Sequence, residues 1–138
     1  MFKKALLCVL YFSLFSPLGF VSAEEAAADA GVDYQYLPLE PDIITNYIKP
    51  GKRIGYVRVT IELMVKSSSD YDLADTHAPL IRDRIITILG EQTEASIKSY
   101  DDRDLIRARC LEEVNKVLFE VTGKRPIKEV HFTKYLYQ

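Results

Sequence analysis

Aliphatic residues occupy every second position of the segment YVRVTIELMV, residues 56–65, and alternate with Tyr56, Arg58, Thr60, Glu62 and Met64. The apolar set consists of Val57, Val59, Ile61, Leu63 and Val65. A period of two is typical of a strand with one buried face. The preceding segment LEPDIITNYI is rich in β-branched residues, and the KPGK between the two segments carries Pro-Gly in a turn position. The pattern predicts an antiparallel hairpin, with Pro38 and Pro41 placing the start of its first strand at an edge or in a lead-in.

Two later segments carry apolar residues at helical spacing. In LIRDRIITILG these residues are Ile81, Ile85, Ile88 and Leu89. Asp75 or Thr76 is expected to cap this helix, Pro79 suits its first turn, and Gly90 is a natural end. The polar segment SSSDYDLADTHAP before it is predicted to be a loop.

A longer helix is predicted to begin near Asp101 or Asp102 and to end at Gly123, after a short helix that opens at Thr93. Its apolar stripe consists of Leu105, Ile106, Cys110, Leu111, Val114, Val117, Leu118 and Val121. Polar residues fill the other side of the same helix, as in a helix that packs by one face.

The final segment, IKEVHFTKYLYQ, reads as a strand. Simple alternation turns one set toward the helices, namely Val130, Phe132 and Leu136, and turns the other set outward, namely His131, Thr133, Tyr135 and Tyr137. Lys134 interrupts the first set, which indicates a bulge or partial exposure. The tyrosine-rich outer face predicted in this way is a candidate contact surface.

The order of elements is strand, strand, helix, short helix, helix, strand, which defines an α+β fold. The last strand has to join the hairpin across a helical connection. The expected architecture is therefore a small mixed sheet, made of the hairpin and the C-terminal strand, with two main helices on one face.

The first 23 residues have a different character. Lys3 and Lys4 precede an apolar stretch, and small residues follow in VSA, which is the layout of a secretory signal peptide cleaved after Ala23. A short membrane anchor that is retained is the alternative. Residues 24–36 are small and acidic and are expected to form a flexible spacer, with the folded domain covering residues 37–138.

Charge and cysteine content narrow the class of protein. The net charge is −2 and the isoelectric point about 5.7, which gives no electrostatic drive toward nucleic acid. Cleavage after Ala23 removes two lysines, leaves 16 basic against 20 acidic residues, and gives a net charge of −4. It also leaves Cys110 as the one cysteine, which excludes an intrachain disulfide and favours a buried thiol.

Residues that could carry catalysis or bind a metal are sparse. His77 and His131 have no cysteine, aspartate or glutamate at a recognisable metal-ligand spacing. The sequence contains no P-loop, no G-x-G-x-x-G and no G-x-S-x-G elbow. We therefore expect no enzymatic activity, no metal and no cofactor.

The RDR segment, residues 82–84, permits two interpretations. Arg82 and Asp83 sit beside apolar Ile81 and Ile85 on the first predicted long helix. A solvated face with ordinary ion pairs is one interpretation. An oligomer contact is the other, because arginine is enriched at protein interfaces.

Taken in order, five segments resemble the flagellar basal body-associated FliL family. They are YLPLEPDIITNYI, YVRVTIELMV, APLIRDRIITILGEQT, LIRARCLEEVNKVL and VHFTKYLYQ, and they cover the chain from about Tyr36 to Gln138. The positions that carry the resemblance, or that are candidate contacts, are Leu39, Glu40, Pro41, Asn46, Arg82, Asp83, Asn115, Phe132, Tyr135, Tyr137 and Gln138.

The resemblance implies a small domain similar to the stomatin/SPFH-type fold, placed in the periplasm at the flagellar basal body. It implies a non-catalytic accessory that associates with stator or other basal-body proteins, forms homo-oligomeric rings, and supports swimming, swarming and chemotaxis. An interaction module that serves another envelope complex is the alternative.

Members of the family carry a cytoplasmic lead and a transmembrane helix, whereas four residues precede the apolar stretch here. The resemblance therefore implies either an exported paralogue in the periplasm or a single-pass protein of the inner membrane.

Overall fold

Within residues 31–138, which the structure describes, three strands are followed by four helices and a final strand, an α+β order. The structure is a computed structural model. Its elements are β1 (Gln35–Pro38), β2 (Ile43–Tyr47), β3 (Gly55–Val65), α1 (Ser68–Thr76), α2 (Ala78–Gly90), α3 (Glu94–Lys98), α4 (Tyr100–Thr122) and β4 (Ile127–Tyr137). The predicted leader or anchor, residues 1–23, and most of the predicted spacer lie outside the described residues.

Strand β3 lies at the centre of the sheet and confirms the alternation in the sequence. Its side chains at 57, 59, 61, 63 and 65 are at most 1% exposed. Strand β2 pairs with it in antiparallel register, from Ile43 opposite Val59 to Tyr47 opposite Gly55. The predicted hairpin is therefore confirmed.

The two edges of β3 are used differently. Strand β1 pairs with β3 at residues 62–65 and β2 pairs with it at residues 55–59, while β4 pairs along 57–65. Strands β1 and β2 therefore share one edge of β3, and β4 takes the other. Gln35 and Tyr36 already belong to β1. The folded part therefore begins before residue 37, the start predicted from the sequence.

The expectation of a mixed sheet is wrong, because all strand pairings in the described sheet are antiparallel. The cause is the path of the helices. The chain leaves β3 at Val65 and re-enters the sheet at Ile127, which lies directly opposite Val65. Helices α2 and α4 pack against each other and return the chain to the end of the sheet that it left, so β4 must run against β3.

The helices cover one face of the sheet and close a single core. Buried residues from every described helix join those of the sheet, including Ala74, Ile85, Ile97 and Leu118. Cys110 lies in this core, and burial raises the pKa of its thiol to about 12. The prediction of a buried thiol is confirmed. No helix within residues 31–138 has the length and apolar character required for a membrane span.

The observed helix ends agree in part with those predicted from the sequence. Gly123 ends α4 in the left-handed conformation, with φ of 72°, and Thr93 caps α3 through the backbone N–H of Ser96, both as predicted. Ser99 caps α4, so that helix begins at Tyr100. The caps predicted for α2 are wrong: Asp75 and Thr76 belong to α1, and His77 takes the cap position without a side-chain hydrogen bond.

Helix α1 occupies most of the segment that was predicted to be a loop. Ser67 caps it by accepting a hydrogen bond from the backbone N–H of Asp70 at 3.1 Å. Ala74 is fully buried, and Tyr71 packs against the core from a partly buried position. Contacts with the core thus stabilise a helix whose own composition is mostly polar.

Candidate interaction surface

The Leu-Glu-Pro segment and Arg82 meet between β1 and β2. Leu39 is buried, and its N–H donates to the Ile61 carbonyl at 2.9 Å. The Nη1 of Arg82 donates to the carbonyl oxygens of Leu39 at 3.2 Å and of Pro41 at 2.5 Å. The side chains of Glu40 and Pro41 are exposed. Arg82 therefore joins α2 to the β1–β2 connection, a use that neither interpretation of the RDR segment anticipated.

Replacing Arg82 with alanine is expected to lower the free energy of unfolding by about 1–2 kcal/mol. Two backbone carbonyls lose a charged donor, and hydrogen bonds to charged groups contribute about 1.5–3 kcal/mol each when well shielded. Urea denaturation followed by circular dichroism measures the change.

The matched control for Arg82→Ala is Asp83→Ala, because Asp83 is exposed on the same helix and is expected to change stability by less than about 0.5 kcal/mol. Equal decreases in the free energy of unfolding for the two variants would contradict the role of Arg82 in joining α2 to the β1–β2 connection.

Asn115 is the one polar residue among the buried residues of the described chain, at 8% exposure. Its Nδ2 donates to the Ile127 carbonyl at 2.8 Å, and its Oδ1 accepts from the Ile127 N–H at 3.1 Å. This residue ties α4 to the first residue of β4, so its role within the fold is structural.

The faces of β4 differ from those predicted. The register passes from Lys134 opposite Thr60 to Phe132 opposite Ile61, which leaves Thr133 as a bulge. A bulge shifts the side-chain alternation by one residue. Beyond Thr133, Tyr135 therefore shares the helix-facing side with Phe132, whereas Leu136 lies on the opposite side and is 53% exposed. The predicted tyrosine-rich outer face is wrong for this reason.

Tyr135 is a packing residue between the sheet and α4. The Arg103 guanidinium lies 4.5 Å from the centre of its ring, and the Phe132 ring stacks 5.9 Å away. Burial raises the pKa of its phenol to about 12. Tyr137 lies at the end of the same side with its ring 6.4 Å from that of Tyr135, and it remains 42% exposed.

The other side of the sheet carries no helix within residues 31–138, and we call it the open face. Its members, which follow from the strand register, are Tyr36, Pro38, Ile44, Asn46, Tyr56, Arg58, Thr60, Glu62, Met64, Glu129, His131, Lys134 and Leu136. Three of its apolar side chains are more than half exposed: Ile44 at 61%, Leu136 at 53% and Tyr36 at 52%.

A shallow cavity of about 420 Å³ lies at one end of the open face. Ile44, Tyr56, Arg58, Leu136 and Gln138 contribute to its lining. Gln138 is held there because its backbone exchanges two hydrogen bonds with that of Tyr56, at 3.0 and 3.2 Å. Exposed apolar side chains around a shallow cavity are typical of a surface that binds another macromolecule.

Charged side chains occupy the middle of the open face. Asp42 accepts hydrogen bonds from Thr60 Oγ1 at 2.8 Å and from Arg58 Nε at 2.6 Å. These two hydrogen bonds hold the pKa of Asp42 below its ordinary value. The face thus combines fixed charge with apolar ends, a combination suited to recognition of another surface.

The residues proposed from sequence divide between this face and the interior. Asn46 lies on the open face opposite Tyr56, and Gln138 borders its cavity. Phe132 and Tyr135 pack on the helix side instead. Sequence analysis did not assign Ile44 or Leu136 to this face, and only a correct register for β4 would have placed Leu136 on the same face as Ile44.

No group of three or more histidine, cysteine, aspartate or glutamate side chains suited to holding a metal ion occurs among residues 31–138. On the open face, Arg58 and Asp42 form an ion pair at 2.6 Å.

Comparison with known proteins identifies the family. Residues 36–138 match the model of the flagellar basal body-associated protein FliL. The chain is also 27% identical over 113 residues to the flagellar protein FliL of Aquifex aeolicus, a match that covers 82% of this chain and 65% of that protein. The chain thus spans about two thirds of the length of that relative. The matched region includes β1 through β4, apart from Gln35 at its start, and this chain belongs to the FliL family of flagellar basal body-associated proteins.

Proposed function

We propose that this chain is a non-catalytic accessory of the flagellar motor, placed in the periplasm beside the basal body. The single observation that carries the proposal is the family match, which spans nearly the whole folded part. The proposed role is to contact stator or other basal-body proteins and to assemble with further copies, and so to support swimming, swarming and chemotactic spreading. A fold of the stomatin/SPFH type is part of the proposal.

The open face supports a role in contact with other proteins. Ile44 and Leu136 protrude at one end of it around a cavity, beside the fixed charges of Arg58 and Asp42. We propose this face as the surface that meets the motor.

Deletion of the gene is expected to reduce spreading in soft agar and swarming under high viscous load, and the wild-type chain is expected to restore both. A double variant, Ile44→Ser with Leu136→Ser, is expected to be made in normal amounts but to restore spreading poorly. The reason is that exposed side chains contribute little to stability, whereas loss of apolar contact area weakens an interface. Colony diameter and immunoblots provide the measurements.

The matched control is Leu105→Ser with Val121→Ser, two exposed apolar residues of α4 at 68% and 56% exposure. This control is expected to restore spreading fully. Normal swarming of the deletion strain would contradict the motor role, while full rescue by the Ile44 and Leu136 variant would contradict the choice of surface only.

A further inference from the structure

Two adjoining cavities form a groove between α4 and β4. One, of about 250 Å³, is lined by Arg103, Asp104, Arg107, His131 and Phe132. The other, of about 280 Å³, is lined by Arg107, Ala108, Leu111, Glu129 and Val130. Arg107 borders both cavities, so they are parts of one groove, which we call the edge groove.

The strand register locates this groove at the free edge of β4. Val130 and Phe132 are on the helix side, because they lie opposite Leu63 and Ile61, whereas Glu129 and His131 are on the open face. A cavity lined by residues from both sides of a strand must lie along an edge of that strand. Strand β3 occupies the other edge, so the groove follows the unpaired one.

The usable part of this edge is short and regular. Bulges at Lys128 and Thr133 bracket residues 129–132, which pair with residues 61–64 of β3 without interruption. Asn115 already binds the backbone of Ile127. The regular stretch therefore offers roughly 13 Å of strand edge, at about 3.4 Å per residue.

Backbone groups along such an edge readily pair with a further strand. The residues beneath the groove are apolar: Val130 is 2% exposed, and Leu111 and Phe132 pack on the core. A strand with one edge free beside a helix that forms a groove wall is the geometry by which extended peptides add to sheets.

The lining of the groove holds two arginines, Arg103 and Arg107, beside the acidic Asp104 and Glu129, and the two guanidinium groups are its candidate carboxylate donors. Arg103 Nε is buried without a hydrogen-bond partner in the described chain, and so is His131 Nε2, which approaches Glu129 Oε2 at 3.3 Å without hydrogen-bond geometry. Arg107 is paired with Asp104 at 3.1 Å, but the Asp104 side chain is 72% exposed, so solvent screens that pair. A carboxylate entering the groove would meet Arg103 and Arg107 together.

We propose that the edge groove binds an extended segment of a partner polypeptide that carries aspartate or glutamate at alternate positions. Its backbone pairs with residues 129–132 as an added strand, and a carboxylate of the segment accepts hydrogen bonds from Arg103 and Arg107. The site adjoins the open face, with which it shares Glu129 and His131. The inference does not depend on the identity of the complex that this protein serves.

Fluorescence anisotropy with the labelled peptide TVEVEVT tests the proposal on the full-length protein. The expected result is saturable binding below 1 mM, weakened about tenfold or more for TVQVQVT, because hydrogen bonds to charged groups contribute about 1.5–3 kcal/mol. The peptide TVEPEVT is expected not to bind, since proline removes a backbone donor. Amide hydrogen exchange is expected to slow at residues 129–132 when TVEVEVT binds.

Arg103→Gln and Arg107→Gln are each expected to bind TVEVEVT no better than the wild-type protein binds TVQVQVT, and thermal unfolding monitors their folding. If Arg103→Gln disturbs the packing of Tyr135, Arg107→Gln remains a test, because Arg107 is paired only at the surface. Absence of binding at 1 mM, equal affinity for the two peptides, or protection elsewhere would overturn the proposal. Protection of residues 129–132 by self-association of the protein alone would overturn it as well.

Discussion

Asn115→Ala is expected to lower the free energy of unfolding by about 2–4 kcal/mol, the largest effect of a single polar substitution in this fold. The N–H and C=O of a strand residue point to the same side, and those of Ile127 point toward Asn115 rather than toward β3. Alanine leaves both groups buried without partners, at a cost of about 1–3 kcal/mol for each. Thermal unfolding followed by circular dichroism should show a decrease in Tm of about 10–20 °C for a domain of this size.

Two further substitutions serve as comparisons for Asn115→Ala. Lys116→Ala changes the neighbouring exposed residue of α4 and is expected to alter stability by less than about 0.5 kcal/mol. Asn115→Asp retains an acceptor for the Ile127 N–H but removes the donor, so its destabilisation should also be severe at neutral pH. Suppose instead that the free energy of unfolding of Asn115→Ala differs from that of wild type by less than about 0.5 kcal/mol, the range for neutral surface changes. That result would show that α4 does not hold β4 in this way.

Gly55→Ala is expected to destabilise the protein by about 1–3 kcal/mol, the range for overpacking in a core. A β-carbon at position 55 would overlap the ring of Tyr47, which lies directly opposite on β2. Tyr47 is 4% exposed, and its hydroxyl donates to the backbone oxygen of Gln138 at 2.8 Å. Displacing the ring therefore disturbs the β2–β3 hairpin and the end of β4 together.

The matched control for Gly55 is Gly90→Ala, because a β-carbon there would meet only the Asn46 carbonyl at 3.7 Å. Alanine is favoured over glycine in a helix by up to about 1 kcal/mol, so this variant should be as stable as wild type or more stable. A double-mutant cycle with Tyr47→Leu separates overlap from other causes. If Gly55→Ala lowers the free energy of unfolding by the same amount in the Tyr47→Leu background as in wild type, overlap with the Tyr47 ring is not the cause of the destabilisation.

The central strand and the two main helices could be predicted because each buries one face, and the apolar residues of a buried face recur with the period of the strand or helix. The buried positions of β3 alternate without exception, and Ile81, Ile85, Ile88 and Leu89 repeat with the period of a helix. Where one face of an element is fully buried, the choice of residues at that face reveals both the element and its orientation.

Helix α1 could not be predicted from periodicity, because its contact with the core involves few side chains. Ala74 is its one fully buried residue. A signal was nevertheless present: Ser67 followed by Asp70 has the spacing of an S-x-x-D helix cap, and Ser67 is the observed cap.

The side-chain facing predicted for the end of β4 is wrong because of a bulge in its pairing with β3. The bulge at Thr133 exists because β4 pairs with β3 over 57–65 while its own apolar residues are out of step with a period of two. A one-residue shift reverses every following side chain, so Tyr135 moved to the interior and Leu136 to the open face. The strand sequence alone indicates that alternation fails near Lys134, but pairing with β3 fixes where.

The structural roles of Arg82 and Asn115 could not be read from sequence because their partners are backbone groups. Arg82 binds carbonyls 41 and 43 positions away, and Asn115 binds Ile127. Backbone acceptors carry no residue-type signature. The resemblance to the family identified these positions, but only the fold shows that they act within the chain.

Localisation tests the proposed motor role most directly. A short epitope inserted between Gly51 and Lys52, in the exposed turn after β2, leaves the core, the open face and the edge groove unchanged. Immunofluorescence is expected to show foci at the flagellar bases that disappear in cells lacking the basal body. A uniform envelope signal, or foci that persist without the basal body, would contradict the role proposed for this protein.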